Sequence, residues 1–465
     1  MIDLRKKPTK KELFVMNSLY QKSHTINSLK SYFSPYFIGM TRPTEQKVFL
    51  LFLAILSMQG IQSIRFLYHW FLQKVSSTKL NAYYYLLSYG EISLDALCRT
   101  TIQIALSCVP TELTEYPYFL LIDDTLQPKF GTHFEEYQVM FDHAAHNGNN
   151  YLKGHCFVGL VLCVPVLNQG KLTYLSVPIR YRLRSKKENK LDIAAEMIVQ
   201  SLPSFPSEKQ VILLCDSWYP KGAVRKAVSA HSQLELIANV RVDTSLYDLP
   251  PEPTGKRGRP PKKGRPLAIQ EDFQLIRQLG DYYIGMRKVM TNLFPDPVYA
   301  MVSAGNTDNP STYRLFISTL MPEDIFSNAA LEESWKEEII EKADVDQALL
   351  PFILYGFRWR IETIFYEQKT FWSFGEYRLR SKVGIERYIN FTAIVYSCMQ
   401  LLPYQQGQYV HLKKESTQVK KQLLGSAIQE EVFFYTFVSS LESKINSLAI
   451  LRAFDQWCKK KRYLQ

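Results

Sequence analysis

Three carboxylates separated along this chain have the chemistry that metal-assisted cleavage of phosphodiesters requires. Asp123 follows the apolar run Leu120-Leu-Ile, and Asp216 follows Val211-Ile-Leu-Leu-Cys 93 residues later. Glu362 lies in a basic segment with helical spacing. Two divalent cations about 4 Å apart need hard oxygen ligands, and carboxylates suit magnesium, with manganese as a substitute. The three acids therefore predict a two-metal catalytic site with Asp123, Asp216 and Glu362 as the ligands.

Glu362 shares its segment with groups that bind phosphate. Tyr355, Arg358, Glu362 and Lys369 are spaced so that one continuous helix would place all four on one broad face. Arg358 would hold a phosphate through a forked pair of bonds, while Tyr355 would donate a hydroxyl and Lys369 would add positive charge. The alternative is an amphipathic helix in which Arg358 and Glu362 form an i,i+4 ion pair.

Each aspartate also has a structural alternative, because an aspartate at the end of a strand often caps the turn that follows. The choice between Asp123 and Asp124 stays open on spacing alone. Strand alternation places the two side chains on opposite sides, so only one of them can join a shared site. His143 and His155 are more simply explained as structural residues than as metal ligands, because neither has a partner at ligand spacing.

Aromatic and basic residues near these acids fit a nucleic-acid surface. Trp218, Trp359 and Trp372 could stack on unpaired bases, although average burial favours a core position for Trp359. Arg257 and Arg259 lie in a Pro-, Gly- and Lys-rich linker from Leu249 to Pro266. An extended Arg-Gly-Arg-Pro can enter the narrow minor groove of A/T-rich DNA. The alternative for the linker is contact with phosphates without any choice of sequence.

The composition restricts the classes of partner. A formal net charge of +12 favours DNA, RNA or an anionic membrane surface. The longest apolar run, Val48 to Met58, is too short to span a bilayer, and the N-terminus has no apolar signal core. The seven cysteines are odd in number and include no C-x2-C pair, which predicts reduced thiols rather than a disulfide framework or zinc. We therefore expect a cytoplasmic protein with a polyanionic partner.

The first 112 residues have helical spacing throughout. Within them, Ile61 to Phe71 and Leu80 to Ser88 could form a helix-turn-helix in which Ser76-Ser77-Thr78 caps the second helix. An ordinary helical hairpin is the alternative. At 465 residues the chain is long enough for two or three domains.

From Pro117 onward, strand-like runs alternate with helices, which predicts an α/β fold. The strands of the first half are predicted at Tyr118–Ile122, His155–Val166, Leu172–Leu183, Gln210–Cys215 and Leu234–Val242, with helices at Leu191–Leu202 and Lys221–Ser229. Further strands are predicted at Tyr282–Met290, Val298–Val302 and Tyr313–Ser318, before a helix that starts near Ala348. Residues 390–465 are again helical in spacing.

These residues resemble the signature of DDE transposases of bacterial insertion sequences, in particular the insertion-sequence family four type. Ile122-Asp123-Asp124-Thr125 is similar to the Asp-x-Thr of that family, and Leu214-Cys-Asp216-Ser-Trp-Tyr219 is similar to the segment around its second aspartate. The set Tyr355, Arg358, Glu362 and Lys369 matches the family's third motif. The resemblance covers about residues 115–390.

The resemblance implies a ribonuclease H-like catalytic domain in two parts, residues 113–234 and 311–390, with a β-rich insertion at 235–310. Helical regions at 1–112 and 391–465 would serve DNA binding and dimerisation. The Asp-x-Thr match favours Asp123 over Asp124. By position, Tyr355, Arg358 and Lys369 would contact the phosphates of transposon ends, and Trp218 is a candidate for base stacking.

The activity implied is cut-and-paste transposition with two magnesium ions. It comprises hydrolytic nicking, commonly a hairpin intermediate, and strand transfer by the 3′-hydroxyl. The partners implied are transposon ends and target DNA, bound by a homodimer near the nucleoid. Two alternatives remain at this point: a domesticated DNA-binding protein that no longer cuts, and a structure-specific nuclease that cuts without joining ends.

Overall fold

Apolar strands pair into one mixed sheet that dominates the larger of two structural units. The computed structural model describes residues 24–131, 133–142, 150–252, 261–305, 312–325 and 346–445. The larger unit runs from Ile92 to Lys414, and the smaller unit combines the residues up to Glu91 with those from Glu415 onward. Domain boundaries at residues 112, 234, 310 and 390 stay predictions.

The helices and strands of the described residues have the following bounds. The helices are α1 His24–Phe33, α2 Arg42–Ser57, α3 Ile64–Leu67, α4 Gln73–Val75, α5 Leu80–Tyr89, α6 Leu94–Leu106, α7 Lys190–Ser201, α8 Gly222–Ala230, α9 Ile269–Asp272, α10 Pro322–Ile325, α11 Leu350–Tyr355, α12 Trp359–Phe371, α13 Lys382–Gln405 and α14 Thr417–Ile445. The strands are β1 Tyr118–Pro128, β2 Gln138–Phe141, β3 Tyr151–Asn168, β4 Lys171–Leu183, β5 Val211–Cys215, β6 Leu234–Val240, β7 Leu246–Tyr247, β8 Pro266–Leu267, β9 Arg277–Leu279, β10 Tyr282–Thr291, β11 Val298–Ala304 and β12 Tyr313–Ser318.

The strand order is β2-β3-β1-β5-β6-β12-β11-β10-β7-β8, with β4 beside β3 and β9 beside β10. Strands β1, β5 and β6 are parallel, and β3 runs antiparallel to β1. β5 is buried at every position, as expected of a parallel strand covered on both faces. This arrangement confirms the mixed α/β class and is compatible with a ribonuclease H-like domain. Strands β12, β11 and β10 continue the sheet beyond β6 through antiparallel pairing.

The surroundings of Asp123 differ from the prediction that this residue ends its strand. Strand β1 continues to Pro128, paired with β3 along its length. Its parallel pairing with β5 stops at Ile122 opposite Cys215. Asp123 therefore lies inside β1, at the point where the neighbouring strand β5 ends. The sequence pattern placed the end of β1 at its first polar residue. The strand that ends there is instead the neighbouring β5, while β1 continues.

The predicted continuous helix through Tyr355 and Lys369 is wrong. Helix α11 ends at Tyr355, a 3-10 turn covers Gly356–Arg358, and α12 starts at Trp359. Phe357 is buried in that turn and stacks on Phe119 of β1, with ring centroids 5.1 Å apart. The 3-10 turn is tighter than an α-helical turn and lets Phe357 reach the sheet. Because of this turn, the four signature residues do not share one face of a regular α-helix.

The smaller unit is helical in its described residues, but its predicted cap is wrong. Helix α5 starts after Lys79, which provides no side-chain cap. The hydroxyl of Ser76 instead donates to Thr78 Oγ1 at 2.9 Å, within the segment that precedes the helix. Whether α3 to α5 act as a helix-turn-helix stays a prediction. Among the described residues, no helix is both long and apolar enough to cross a membrane.

Helix α12 rests on the sheet above a residue that has no side chain. Gly159 of β3 lies directly opposite Asp123 of β1. A Cβ atom added to Gly159 would lie 2.8 Å from Tyr181 Cε1 and 2.9 Å from Phe365 Cε1 of α12. The same helix is fixed further along by the Tyr181 hydroxyl, which donates to the buried Gln368 Oε1 at 2.6 Å. Gly159 thus permits the close approach of the helix that carries Glu362.

We predict that Gly159→Ala lowers the free energy of unfolding by about 1–3 kcal/mol, because two aromatic rings must shift to admit the methyl group. Urea denaturation of the full chain measures the loss. The matched control is Gly305→Ala, since no atom of the described residues lies within 4 Å of the added Cβ there. Equal stability of the two variants would contradict the close-approach argument.

Candidate active site

Asp123 and Asp216 are brought together by the parallel pairing of β1 and β5. The last paired residues are Ile122 and Cys215, so each aspartate is the next residue of its chain segment. Neighbouring strands lie about 4.8 Å apart, which places the two aspartates side by side. Asp216 opens the turn after β5, where its Oδ1 accepts a hydrogen bond from the Trp218 backbone N–H at 3.0 Å.

The electrostatics of this pair favour a bound cation. Burial, followed by the charges of Asp216 and Asp124, raises the pKa of Asp123 to about 7. Burial also raises the pKa of Asp216. Two neighbouring carboxylates that are both removed from water disfavour the charged state unless a positive group stands between or beside them.

Arg358 joins Asp123 to Glu362. Its Nη2 donates to Glu362 Oε1 at 2.6 Å, and its Nη1 lies 3.5 Å from Asp123 Oδ2. The i,i+4 pair between Arg358 and Glu362 that the sequence left as an alternative is therefore formed. Arg358 Nε is buried and has no hydrogen-bond partner among the described residues. The guanidinium thus keeps one donor unused beside the acids.

The turn before α12 fixes the direction of Arg358. Phe357 is held between Phe119 and Tyr174, with centroid distances of 5.1 and 5.0 Å. Tyr355 packs against Phe316 at 4.9 Å, and its ring lies 5.8 Å from the Arg358 guanidinium carbon. Burial raises the pKa of the Tyr355 hydroxyl, which therefore stays protonated and able to donate.

Lys369 lies further along β1 than the other signature residues. Its Nζ donates to the backbone oxygen of Leu126 at 2.8 Å, three residues beyond Asp123. The structure therefore brings Tyr355, Arg358 and Glu362 to the aspartates, while Lys369 extends the positive charge along the strand.

Asp124 is occupied by a network that sequence reasoning missed. Lys190 Nζ donates to both of its carboxylate oxygens at 2.9 and 2.8 Å, and the Tyr219 hydroxyl donates to Oδ1 at 3.0 Å. Cys156 Sγ adds a weaker contact at 3.4 Å. Spacing gives no signal for Lys190, which is 66 residues away, but Tyr219 lies in the segment already singled out around Asp216. Asp124 is thus neutralised, which leaves Asp123 as the acid that faces Arg358.

The structure exposes and buries different tryptophans from those that were predicted. Trp359 is 62% exposed, so the preference for a core position is wrong: in α12 it occupies a position that faces away from the sheet. Trp218 is 48% exposed, with Lys221 Nζ 4.2 Å and Lys190 Nζ 5.4 Å from its ring centroid. Trp372 is fully buried against Tyr396 and cannot stack on a base.

Three residues of the sequence analysis, Arg257, Arg259 and His143, lie outside the described residues. His155 is fully buried and has partners on both ring nitrogens. Its Nδ1 lies 2.5 Å from the Tyr377 hydroxyl, and its Nε2 lies 2.9 Å from the backbone oxygen of Glu135. These bonds are those of a structural histidine.

The family follows from a comparison with protein-family models. A model described as DDE superfamily endonuclease matches residues 35–279. The chain belongs to this family. The match includes Asp123 and Asp216 and starts well before residue 115, where the sequence resemblance was expected to begin. It ends before Glu362, so the third acid depends on the geometry around Arg358. A search of curated proteins finds no match.

Family membership supports a transposase-like, metal-dependent nuclease that acts on DNA. The donor set fits a divalent cation in chemical type, because Asp123 and Asp216 offer hard oxygens whose charges need compensation. Among the described residues, no three acidic, histidine or cysteine side chains converge on one point. Arg358 stands between Asp123 and Glu362. Asp123 and Asp216 are therefore the residues that could hold a cation in this arrangement, and Glu362 is paired with Arg358.

We predict that Lys190→Met lowers the free energy of unfolding by about 1–3 kcal/mol, because Asp124 loses its charged donor inside the protein. The double variant Asp124→Asn/Lys190→Met should recover part of that loss, since no uncompensated carboxylate remains. Thermal and urea unfolding of four proteins, namely the wild type, Lys190→Met, Asp124→Asn and the double variant, gives the coupling energy. Additive losses would show that the pair does not stabilise the fold.

Proposed function

We propose that this protein is a DDE transposase of the insertion-sequence family four type that cuts and rejoins DNA. The observation that carries the proposal is the placement of Asp123 and Asp216 on neighbouring parallel strands, with Glu362 linked to Asp123 by Arg358. Cut-and-paste transposition is the activity for which this set of acids, donors and basic residues is best suited.

The order of the sheet supports this proposal. The strands that lie between Asp216 and Glu362 in sequence include β10, β11 and β12, which extend the sheet from β6. We propose that the β-rich insertion predicted at residues 235–310 begins only after β6, because β6 pairs in parallel with β5 inside the catalytic sheet, and that β12, beyond residue 310, belongs to the second part of the ribonuclease H-like domain. The helical regions on either side would bind DNA ends and hold two copies of the chain together.

The three acids and the neighbouring hydrogen-bond donors would have different roles in the reaction. Asp123, Asp216 and Glu362 would hold two magnesium ions, which supply an activated water or 3′-hydroxyl nucleophile and stabilise the leaving oxygen. Arg358 would exchange its carboxylate partners for a phosphate oxygen, using the Nε donor that has no partner among the described residues. Tyr355 would donate its protonated hydroxyl to the same phosphate group.

Positive and aromatic groups outside the acids would hold the rest of the DNA. Lys369 at Leu126 would contact the next phosphates along β1. Trp218, exposed between two lysines, would stack on an unpaired base. Arg257 and Arg259 would enter the minor groove from the linker.

We predict that Asp216→Ala and Glu362→Ala each lower DNA cleavage by about a thousandfold or more while leaving DNA binding within a few-fold, because each removes a metal ligand and no phosphate contact. Labelled DNA that carries the sequence flanking this protein's own gene is incubated with magnesium and then with EDTA. Full cleavage by either variant would remove that acid from the metal site.

We also predict that Arg358→Ala weakens DNA binding and lowers the slope of log affinity against log salt by about 1, the value for one phosphate contact. Arg358→Lys serves as the matched control, because it keeps the charge and loses the fork. An unchanged slope in Arg358→Ala would mean that Arg358 only pairs with Glu362.

A domesticated DNA-binding protein is the second candidate, and one observation favours it. Arg358 pairs with both Asp123 and Glu362, as expected of acids that hold an arginine rather than a metal cation. Binding without magnesium-dependent cleavage in the same assay would support this candidate. Cleavage without joining of ends would instead indicate a structure-specific nuclease.

A further inference from the structure

We propose that a basic pocket at the far end of β1 binds the phosphates of DNA that continues past the cutting site. The pocket has a volume of about 410 Å³ and is lined by residues 129–131, 133 and 134 on one side and by residues 376–378 and 380 on the other. Naming DNA as its ligand rests on the proposed function. None of the pocket's lining residues belongs to the signature of acids and phosphate-binding groups described above.

The walls of this pocket are fixed by hydrogen bonds between its two segments. The backbone N–H of Glu135 donates to the Arg380 oxygen at 2.9 Å, and the Glu135 carboxylate accepts from the Lys382 N–H at 2.7 Å. Behind them, His155 bonds both the Tyr377 hydroxyl and the Glu135 oxygen. A pocket whose walls are joined in this way is preformed, so a ligand bears little cost of ordering it.

The floor of the pocket is built around Lys129. Its Nζ donates to the backbone oxygens of Gly375 and Tyr377, and it lies 3.7 Å from the Tyr377 ring centroid. The Gln127 amide group packs against Gly375, in the space that a Cβ atom there would occupy. Lys129 thus has structural partners and still contributes a positive charge at the base of the pocket.

The rim carries charges that lack partners. Residues 376–380 alternate between exposed and buried, so Arg378 and Arg380 point outward on the same side. Neither arginine forms an ion pair with a described residue. Elsewhere in the larger unit, exposed arginines such as Arg241 and Arg265 are paired with aspartates. The lining residues include Lys129, Arg378 and Arg380 against one carboxylate, Glu376, while the Glu135 carboxylate behind the lining accepts from the Lys382 N–H.

The distance between the pocket and Asp123 indicates which ligand the pocket binds. Six residues of extended chain separate Asp123 from Lys129, which is about 20 Å, or about six base pairs of duplex. Lys369 lies between them at Leu126. Arg358, Lys369 and the pocket therefore follow β1 in one line, as contacts to a continuous DNA backbone would require. A free phosphate ion would need only the pocket itself.

Phe130 adds an aromatic group to the rim. Its side chain is 95% exposed, beside the outward-facing arginines. An exposed ring among cations is the arrangement that stacks on bases while the charges hold the backbone. We therefore expect the pocket to prefer duplexes with an unpaired tail over fully paired duplexes.

The test measures DNA binding rather than cleavage, so it can succeed or fail independently of the transposase activity. The full chain and Arg378→Ala/Arg380→Ala are titrated with a random-sequence duplex of about 30 base pairs at several salt concentrations. We expect the slope of log affinity against log salt to fall by about 2, for two lost phosphate contacts. The control is Lys171→Ala/Lys226→Ala, which removes the same charge from exposed positions; Lys171 is the first residue of β4 and pairs with Asn168 at the end of β3 that is far from the pocket.

Three results would overturn the proposal. The slope could be unchanged in the arginine variant, or it could fall equally in the control, which would mean that only net charge matters. The third is loss of inorganic phosphate binding, measured by calorimetry, with no change in the DNA slope, which would indicate a small-anion site. Phe130→Ala supplies an independent measurement: affinity for a tailed duplex should fall about tenfold, with little change for a blunt one.

Discussion

The candidate site depends on the close contact between helix α12 and strand β3 at Gly159. Glu362 is far from Asp123 in sequence, and only packing can bring the two together. Because Gly159 lies opposite Asp123 and has no side chain, Phe365 and Tyr181 can fill the space above it. The helix then lies low enough for Arg358, one residue before it, to reach Asp123. A larger residue would lift the whole helix, and with it the third acid.

The second constraint is that the buried carboxylates need positively charged partners, and some of these partners can be exchanged. Asp123 and Asp216 are buried side by side, and their pKa values are raised as a result. The protein provides two positive groups of different roles. Lys190 holds Asp124 on the other side of the strand, with Tyr219 as a second donor. Arg358 holds Asp123 and Glu362 through contacts that a metal ion and a phosphate could replace together.

The sequence predicted most strands well because buried runs in parallel sheets are apolar without interruption, as in Val211–Cys215. It also predicted Asp123 and Asp216 as neighbours, since the ends of such runs meet at one edge. It failed where tertiary packing overrides local pattern. The 3-10 turn at Gly356–Arg358 exists because Phe357 stacks on Phe119, and no helical spacing encodes that contact. Trp359 was expected in the core on average behaviour, but its place in α12 faces solvent. Lys190 had no local signal at all.

The pairing of β1 with β3 runs from Phe119 to Pro128 without a shift in register. Such a ladder is stiff, so the separation between Asp123 and Pro128, after which the basic pocket begins at Lys129, is set by a count of residues. The length of the strand therefore sets this separation in steps of two residues, because an insertion of one residue would turn every later side chain to the opposite face. In a relative with two more residues in β1, this separation would be about 7 Å longer, which is two base pairs. Divergence in the length of bound DNA should thus occur in discrete steps.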